Sequence, residues 1–302
     1  AVDLVDPTNP ASAEETWSGS RLKADVLGNN ITLRAQLGFI GAAGNELDID
    51  SRRGGSGVLN TSSVENTYII ETNGDVYVDQ VGTDTDATAF VTATVGGIYN
   101  GAAAGESNVT SGRAFLIANT DIGTAAKPLS TTIGVIQSVS TTGSTYVNNL
   151  GPLAVDVIGV SGIGQNAGGD IEVTASSPIT FAADAAATGD MVYTAAGSPA
   201  VDFDNIHVLG GVSVSAGGSL TLNAADNLYI DAGAKVTAGT SITATAGDDI
   251  VIGAAQVTAA TSLTFYVAND LTLGLGSTIT AGGTVVIWAD YGGTPDPGIG
   301  ST

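Results

Sequence analysis

The chain contains no cysteine, one methionine, one histidine and eight lysines and arginines among 302 residues. Without cysteine there is no disulfide, no thiol chemistry and no thiolate-held zinc or iron–sulfur centre. With one histidine, any imidazole chemistry would run through His207 alone. Eight cations against 30 acidic residues leave a net charge of −22, which cannot neutralise a phosphate backbone and excludes electrostatic nucleic-acid binding. No apolar run approaches the roughly 20 residues of a membrane-crossing helix; Asp156 interrupts the most hydrophobic stretch, 150–164. Aromatics make up only 5%, so a core here would have to be filled by smaller side chains.

What is present is glycine, 42 residues of it, with 43% hydrophobic residues and a mean hydropathy of +0.27. That is enough apolar surface to offset ordering entropy, and it rules out charge-driven disorder. The start, AVDLVDP, has neither an initiator methionine nor a basic-then-apolar leader. It reads as a processed mature chain or an excerpt of a longer one, and the missing cysteines fit secretion from a bacterium.

Helical patterns are scarce. Apolar residues come in alternating triplets such as 220–222 (LTL), 228–230 (LYI) and 250–252 (IVI), separated by Gly, Asn, Asp or Ala-Gly pairs. Alternation of period two marks half-buried strands. The triplets recur. Residues 219–222 (SLTL), 241–244 (SITA), 262–265 (SLTF) and 284–287 (TVVI) follow at steps of 22, 21 and 22. A second track is 206–208 (IHV), 228–230, 250–252 and 271–273; a third is 212–216, 235–238, 256–259 and 278–281. Three short strands per period predict an all-β chain folded as a parallel β-helix, a β-solenoid with three short strands per coil of about 20–22 residues. Small apolar side chains would fill its narrow interior, and Thr and Ser would face outward.

The first half is less regular but carries a longer duplication. Residues 40–47 (IGAAGNEL) match 122–129 (IGTAAKPL) at an offset of 82, and 67–69 (TYI) match 145–147 (TYV) at an offset of 78. Residues 82–89 and 100–111 are expected as loops projecting from corners, and 182–205, with the Ala185–Ala187 run, as a loop or short helix. The organisation expected is a non-repeating or docking segment at 1–27, an irregular β-helix at 28–205, regular coils at 206–290 and a Pro/Gly-rich tail at 291–302. About 12–14 coils at roughly 4.8 Å each would make a rod on the order of 60 Å.

The paired Ile-Gly-x-Ala-x-x-x-Leu segments, together with the Gly-Asp-hydrophobic stretches 73–78 (NGDVYV), 168–175 (GGDIEVTA) and 247–252 (GDDIVI), resemble the large bacterial exoproteins of the filamentous-haemagglutinin type. The resemblance spans about 28–290. It implies a right-handed β-helix, secretion to the extracellular space or cell surface, and a shaft-like role. The family's N-terminal secretion domain is not visible here.

Aspartate is the one abundant reactive group. Asp84 and Asp86 have the D-x-D look of a calcium ligand pair, but the remaining ligands of an EF-hand loop and the glycine-rich array of a calcium-bound β-roll are missing; solvation of a loop is the favoured account over weak Ca²⁺ binding. Asp248 and Asp249 are expected to cap a turn. Arg52 and Arg53 beside Asp48 and Asp50 form the one mixed-charge cluster, best read as a solvated corner. His207, between Ile206 and Val208, should face outward. Trp17 and Trp288 lie near the ends, and Trp288 is expected to pack the last coil.

No catalytic residue, metal ligand or cofactor site is assigned, and the chain is expected not to be an enzyme. The leading expectation is the structural shaft of an adhesin or surface filament. The alternatives are a secreted subunit assembling end to end into a fibre, and a polysaccharide-binding or polysaccharide-cleaving β-helix with a host or surface glycan as partner. Self-association would run through the coil ends or through further coils of a longer chain.

Overall fold

A computed structural model describes residues 24–51, 57–159, 162–198 and 203–290. Among the described residues there is no helix, and the strands, parallel throughout, stack as a β-solenoid of about eleven turns with three strands per coil. The strands form a 13-stranded and an 18-stranded sheet.

Coil-to-coil register places like on like. On the 13-stranded sheet one inward row runs Ile171, Met191, Leu220, Ile242, Leu263, Val285, and the next runs Val173, Tyr193, Leu222, Ala244, Phe265, Ile287. The bulky Tyr193 and Phe265 flank Leu222 and Ala244, so large and small side chains compensate along the axis. The other two faces contribute Ile179, Ile206, Leu228, Ile250, Leu271 and Ala185, Val214, Val236, Val257, Ile279. Each fully buried Ile or Leu contributes roughly 1.5–3 kcal/mol relative to exposure. The thin lumen is therefore one continuous core.

Both segments of the 82-residue duplication adopt the same local structure. Ile40 bridges Thr67 and Ile122 bridges Thr145, while Tyr68 N and Tyr146 N each donate to the isoleucine carbonyl at 2.7 Å. Gly41 (φ 64°) and Gly123 (φ 68°) follow in the left-handed region. A Cβ at either would meet a tyrosine carbonyl and the backbone N of Leu47 or Leu129, at 2.9 and 2.7 Å respectively, so only glycine fits. Ser63 Oγ to Thr67 Oγ1 (2.9 Å) is likewise repeated by Ser140 Oγ to Thr145 Oγ1 (3.1 Å). Yet Thr67–Glu71 belongs to the 18-stranded sheet and Thr145–Asn149 to the 13-stranded sheet. The duplication is a repeat of local structure carried to a different face, because its offset is not a whole number of coils.

The regular three-strand coil starts earlier than Ile206. Val135–Ser140 pairs through Val135 and Ile136 with Leu153–Val155, and through Ser138 to Ser140 with Ile163–Ala167. One strand thereby splits into two faces, which persist to the end. A buried polar chain crosses this split: Tyr193 Oη donates to Gln165 Oε1 (2.6 Å), and Gln165 Nε2 donates to Ser138 Oγ (3.1 Å). Such satisfied core polar groups penalise any slip in register.

Four expectations need correction. Residues 182–205 are neither helix nor one long loop: Asp184–Ala187 and Met191–Ala195 are strands. Ala187 continues a row of alanines, Ala167, Ala216, Ala238 and Ala259, while Ala185 lies between Gln165 and Val214. The described residues make about eleven turns, where 12–14 coils are expected of the chain, giving about 53 Å at roughly 4.8 Å per turn. In the two expected insertions the loops are 83–87, 101–108 and Ser111, since strands run to Gly82 and Asn100, resume at Thr88 and Val109, and the latter ends at Thr110. Trp288 pairs with Tyr266 in the outward phase and is 54% exposed, so it does not close the last coil. Trp17 lies outside the described residues.

One inward position is imperfect. Thr61, between Leu33 and Val81, has a fully buried hydroxyl without a partner. Leaving such a group unsatisfied costs about 1–3 kcal/mol. Thr61→Val keeps the shape and removes the orphan, and is expected to stabilise the protein by about 1 kcal/mol in denaturant unfolding; a loss of stability would contradict the inward placement.

Candidate functional site

The corners between faces gather the polar chemistry, and they do so at the coil period. Asn205, Asn227, Asp249 and Asp270 form a column. Asn227 N donates to Asn205 Oδ1 (2.8 Å), Asp249 N to Asn227 Oδ1 (3.0 Å) and Asp270 N to Asp249 Oδ1 (3.0 Å). A second column passes through Asp121, Ser144, Asp170, Asp190 and Ser219: backbone N–H groups of Ser144, Asp190 and Ser219 donate to the preceding aspartate at 2.8, 2.8 and 2.6 Å. Asp75 receives Gly97 N at 3.0 Å, Asp184 receives Ser213 N at 2.8 Å, and Asp226 receives Asp204 N at 2.8 Å. At these corners backbone donors lack a strand partner, and an Asx side chain one coil away accepts them. Asp249 is therefore a turn cap, as its place in the sequence suggests.

The acidic pair Asp84 and Asp86 is exposed on a turn closed by Ala87 N donating to Asp84 O (3.0 Å). With Glu65, Asn66, Thr83 and Thr85 it borders an open groove of about 640 Å³. No group of three or more His, Asp or Glu among the described residues could hold a metal ion. A second, smaller groove of about 370 Å³ is lined by Arg34, Gln36, Asn60, Ser62 and Gln80 with Ala35.

Asp48 stands with Asp25 and Glu46; burial first, then these two carboxylates, hold its pKa above the ordinary value. Arg52 and Arg53 lie outside the described residues. Asp50 belongs instead to a corner built around Glu71. Glu71 points into the lumen between Ile49 and Ala93 and is completely buried. Its carboxylate accepts from Ser51 N (3.0 Å), Ser51 Oγ (2.6 Å) and Asn73 N (3.1 Å), while Asn73 Nδ2 donates to Asp50 Oδ2 (3.1 Å). Burial pushes the Glu71 pKa up, opposed by these donors and reinforced by Asp50. The sequence hid this residue, because its inward phase shows only once the register Ile49–Glu71–Ala93 is known.

His207 faces outward as expected, in a column with Thr180 and Tyr229. Its Nε2 lies 3.0 Å from Asp231 Oδ1 without an aligned hydrogen bond, and the Tyr229 ring crosses it at 5.6 Å. An aromatic column was not foreseen either. Tyr68 stacks on Phe90 (4.4 Å, 8°), and Phe115 meets Phe90 edge-on (5.8 Å, 89°). Their spacings of 22 and 25 residues are coil steps, the signal that could have found them. The next outward position is Gln137, whose Oε1 accepts from Ile158 N (2.7 Å) and Gly159 N (2.9 Å). That loop lies over Phe115, so the column anchors a loop.

Comparison of the chain with protein families, curated proteins and solved structures gave no match. The β-solenoid assignment rests on the register geometry itself.

The pH dependence of the Glu71 corner follows from the direction of its shift. A carboxyl whose native pKa lies above its unfolded value of 4.5 contributes stability below that value and loses it as pH rises through the native pKa. Amide protection factors at Ser51 and Asn73, taken relative to the intrinsic exchange rate at each pH, are expected to be larger near pH 4 than at pH 7, and Glu71→Gln to flatten this difference. Smaller protection factors at pH 4 than at pH 7 would contradict the assignment.

Proposed function

We propose that the protein is a non-catalytic structural β-solenoid, forming the shaft of an extracellular bacterial adhesin or cell-surface filament. The observation that carries this reading is the occupation of the aspartates. Asp75, Asp121, Asp170, Asp190 and Asp249 each accept a backbone N–H group from a neighbouring coil. Carboxylates committed to turn capping stabilise a rod, and their spacing of one coil serves length. The outward rows on the regular coils, such as Thr221, Thr243 and Thr264, suit a solvated surface. The remaining negative charge keeps neighbouring rods apart. The sequence resemblance to filamentous-haemagglutinin-type exoproteins supports the surface location.

The test joins imaging to binding. Purified protein is expected to image as straight rods of uniform width, to bind no member of a glycan array, and to release no reducing ends from polysaccharides. Defined glycan binding or polysaccharide cleavage would overturn the shaft reading in favour of a carbohydrate-active β-helix.

A further inference from the structure

Two asparagines in the chain are followed by glycine, Asn73 and Asn100. This dipeptide can lose its side-chain amide without any partner: the glycine N, once deprotonated, attacks the asparagine Cγ, and no Cβ on the glycine obstructs the approach. The two pairs are alike in sequence and opposite in structure.

At Asn100 both reacting groups are tied down. Gly101 N donates into the ladder, to Val78 O at 2.7 Å. Asn100 Nδ2 donates to Pro128 O (2.8 Å), and Oδ1 accepts from Ala102 N (3.1 Å) and Asn108 Nδ2 (3.0 Å). At Asn73 the nucleophile is loose. Gly74 N has no acceptor among the described residues, and Gly74 sits with φ 85° in a bend between Thr67–Glu71 and Val76–Gly82. Half-buried Asn73 is held by its N to Glu71 Oε1 (3.1 Å) and its Nδ2 to Asp50 Oδ2 (3.1 Å). Neither bond uses Oδ1 or the glycine N–H.

We propose that Asn73 is a site of self-modification, converting to aspartate and isoaspartate through a cyclic imide, while the fold protects Asn100. Gly74 N gives its proton to solvent and bonds to Asn73 Cγ; the Cγ–Nδ2 bond breaks and ammonia leaves. Water then opens the imide at either carbonyl, so one amide and one water become one carboxylate and one ammonium. Nothing is oxidised or reduced. This inference does not depend on the shaft reading.

The product changes the corner around Glu71. Asn73 Nδ2 is the donor that Asp50 accepts, and a carboxylate in its place sets like charges against each other. Asp50 and Glu71 are both buried, so salt screens this repulsion weakly. Conversion therefore loosens the corner that the donors around Glu71 hold.

The test follows the native protein through prolonged incubation at mildly alkaline pH, with peptide mass spectrometry and isoaspartate-selective methylation. Conversion at Asn73 is expected to run roughly tenfold or more ahead of Asn100, whose glycine N–H reacts only after local opening of the ladder. In denaturant the two sites are expected to convert at similar rates. Asn73→Gln, which keeps an amide but closes its larger ring far more slowly, is expected to remove the modified species at this site. Asn73→Asp reads the consequence directly. It is expected to be less stable than the parent at pH 7, with the deficit shrinking as pH falls towards 4 and the crowded carboxylates take up protons. Equal native rates at the two sites overturn the proposal. So does an Asn73 that converts in denaturant but stays intact in the folded protein, or an Asn73→Asp variant as stable as the parent at pH 7.

Discussion

Among the described residues, the strands between the first and last coils satisfy their backbone through the coil before and the coil after. That requirement sets the rest. Parallel in-register stacking places equivalent residues about 4.8 Å apart along the axis, so a side chain is chosen against its neighbours in a column more than against its neighbours in sequence. Columns of Ile, Leu and Val fill the lumen. Smaller Leu222 and Ala244 lie between bulky Tyr193 and Phe265 in one such column.

The same constraint accounts for the acidity. A turn interrupts the ladder and strands a backbone donor, which an Asp or Asn one coil away can accept. Repeating that solution stacks carboxylates along a corner, where like charges repel. Asparagine and serine interleave with aspartate in the columns through Asn205 and Ser144, which dilutes the repulsion while keeping the acceptor. Glu71 is the exception that moved inward. Its carboxylate is tolerated in the lumen because Ser51 and Asn73 surround it with donors, and it remains the place where protonation acts most directly on the fold.

The regular coils were legible because triplets 206–208, 228–230, 250–252 and 271–273 repeat at a nearly constant step, and alternation within each triplet gives the phase. The first half was harder for a physical reason. Its duplicated Ile-Gly segments sit on different faces, so aligning them does not align coils. The strand Asp184–Ala187 was missed because an alanine run carries no alternation. Trp288 was misassigned by reasoning from its position near an end, when the register with Tyr266 puts it outside. Glu71, the aromatic column and the Asx columns all share one property: each is visible only after residues a coil apart are set side by side.

The central claim is that distance along the molecule counts coils rather than residues. Tyr146 and Thr264 are 118 residues apart in sequence, yet they share an outward column through Glu172, Val192, Thr221 and Thr243. The steps between them range from 20 to 29 residues. Spin labels on cysteines introduced at Tyr146 and Thr264, in a spin-diluted sample, measure the separation directly by pulsed dipolar spectroscopy. Five coils predict a single narrow distance near 24 Å, at roughly 4.8 Å per coil. A broad distribution, or a separation clearly outside that value, would contradict the stacking on which the account depends.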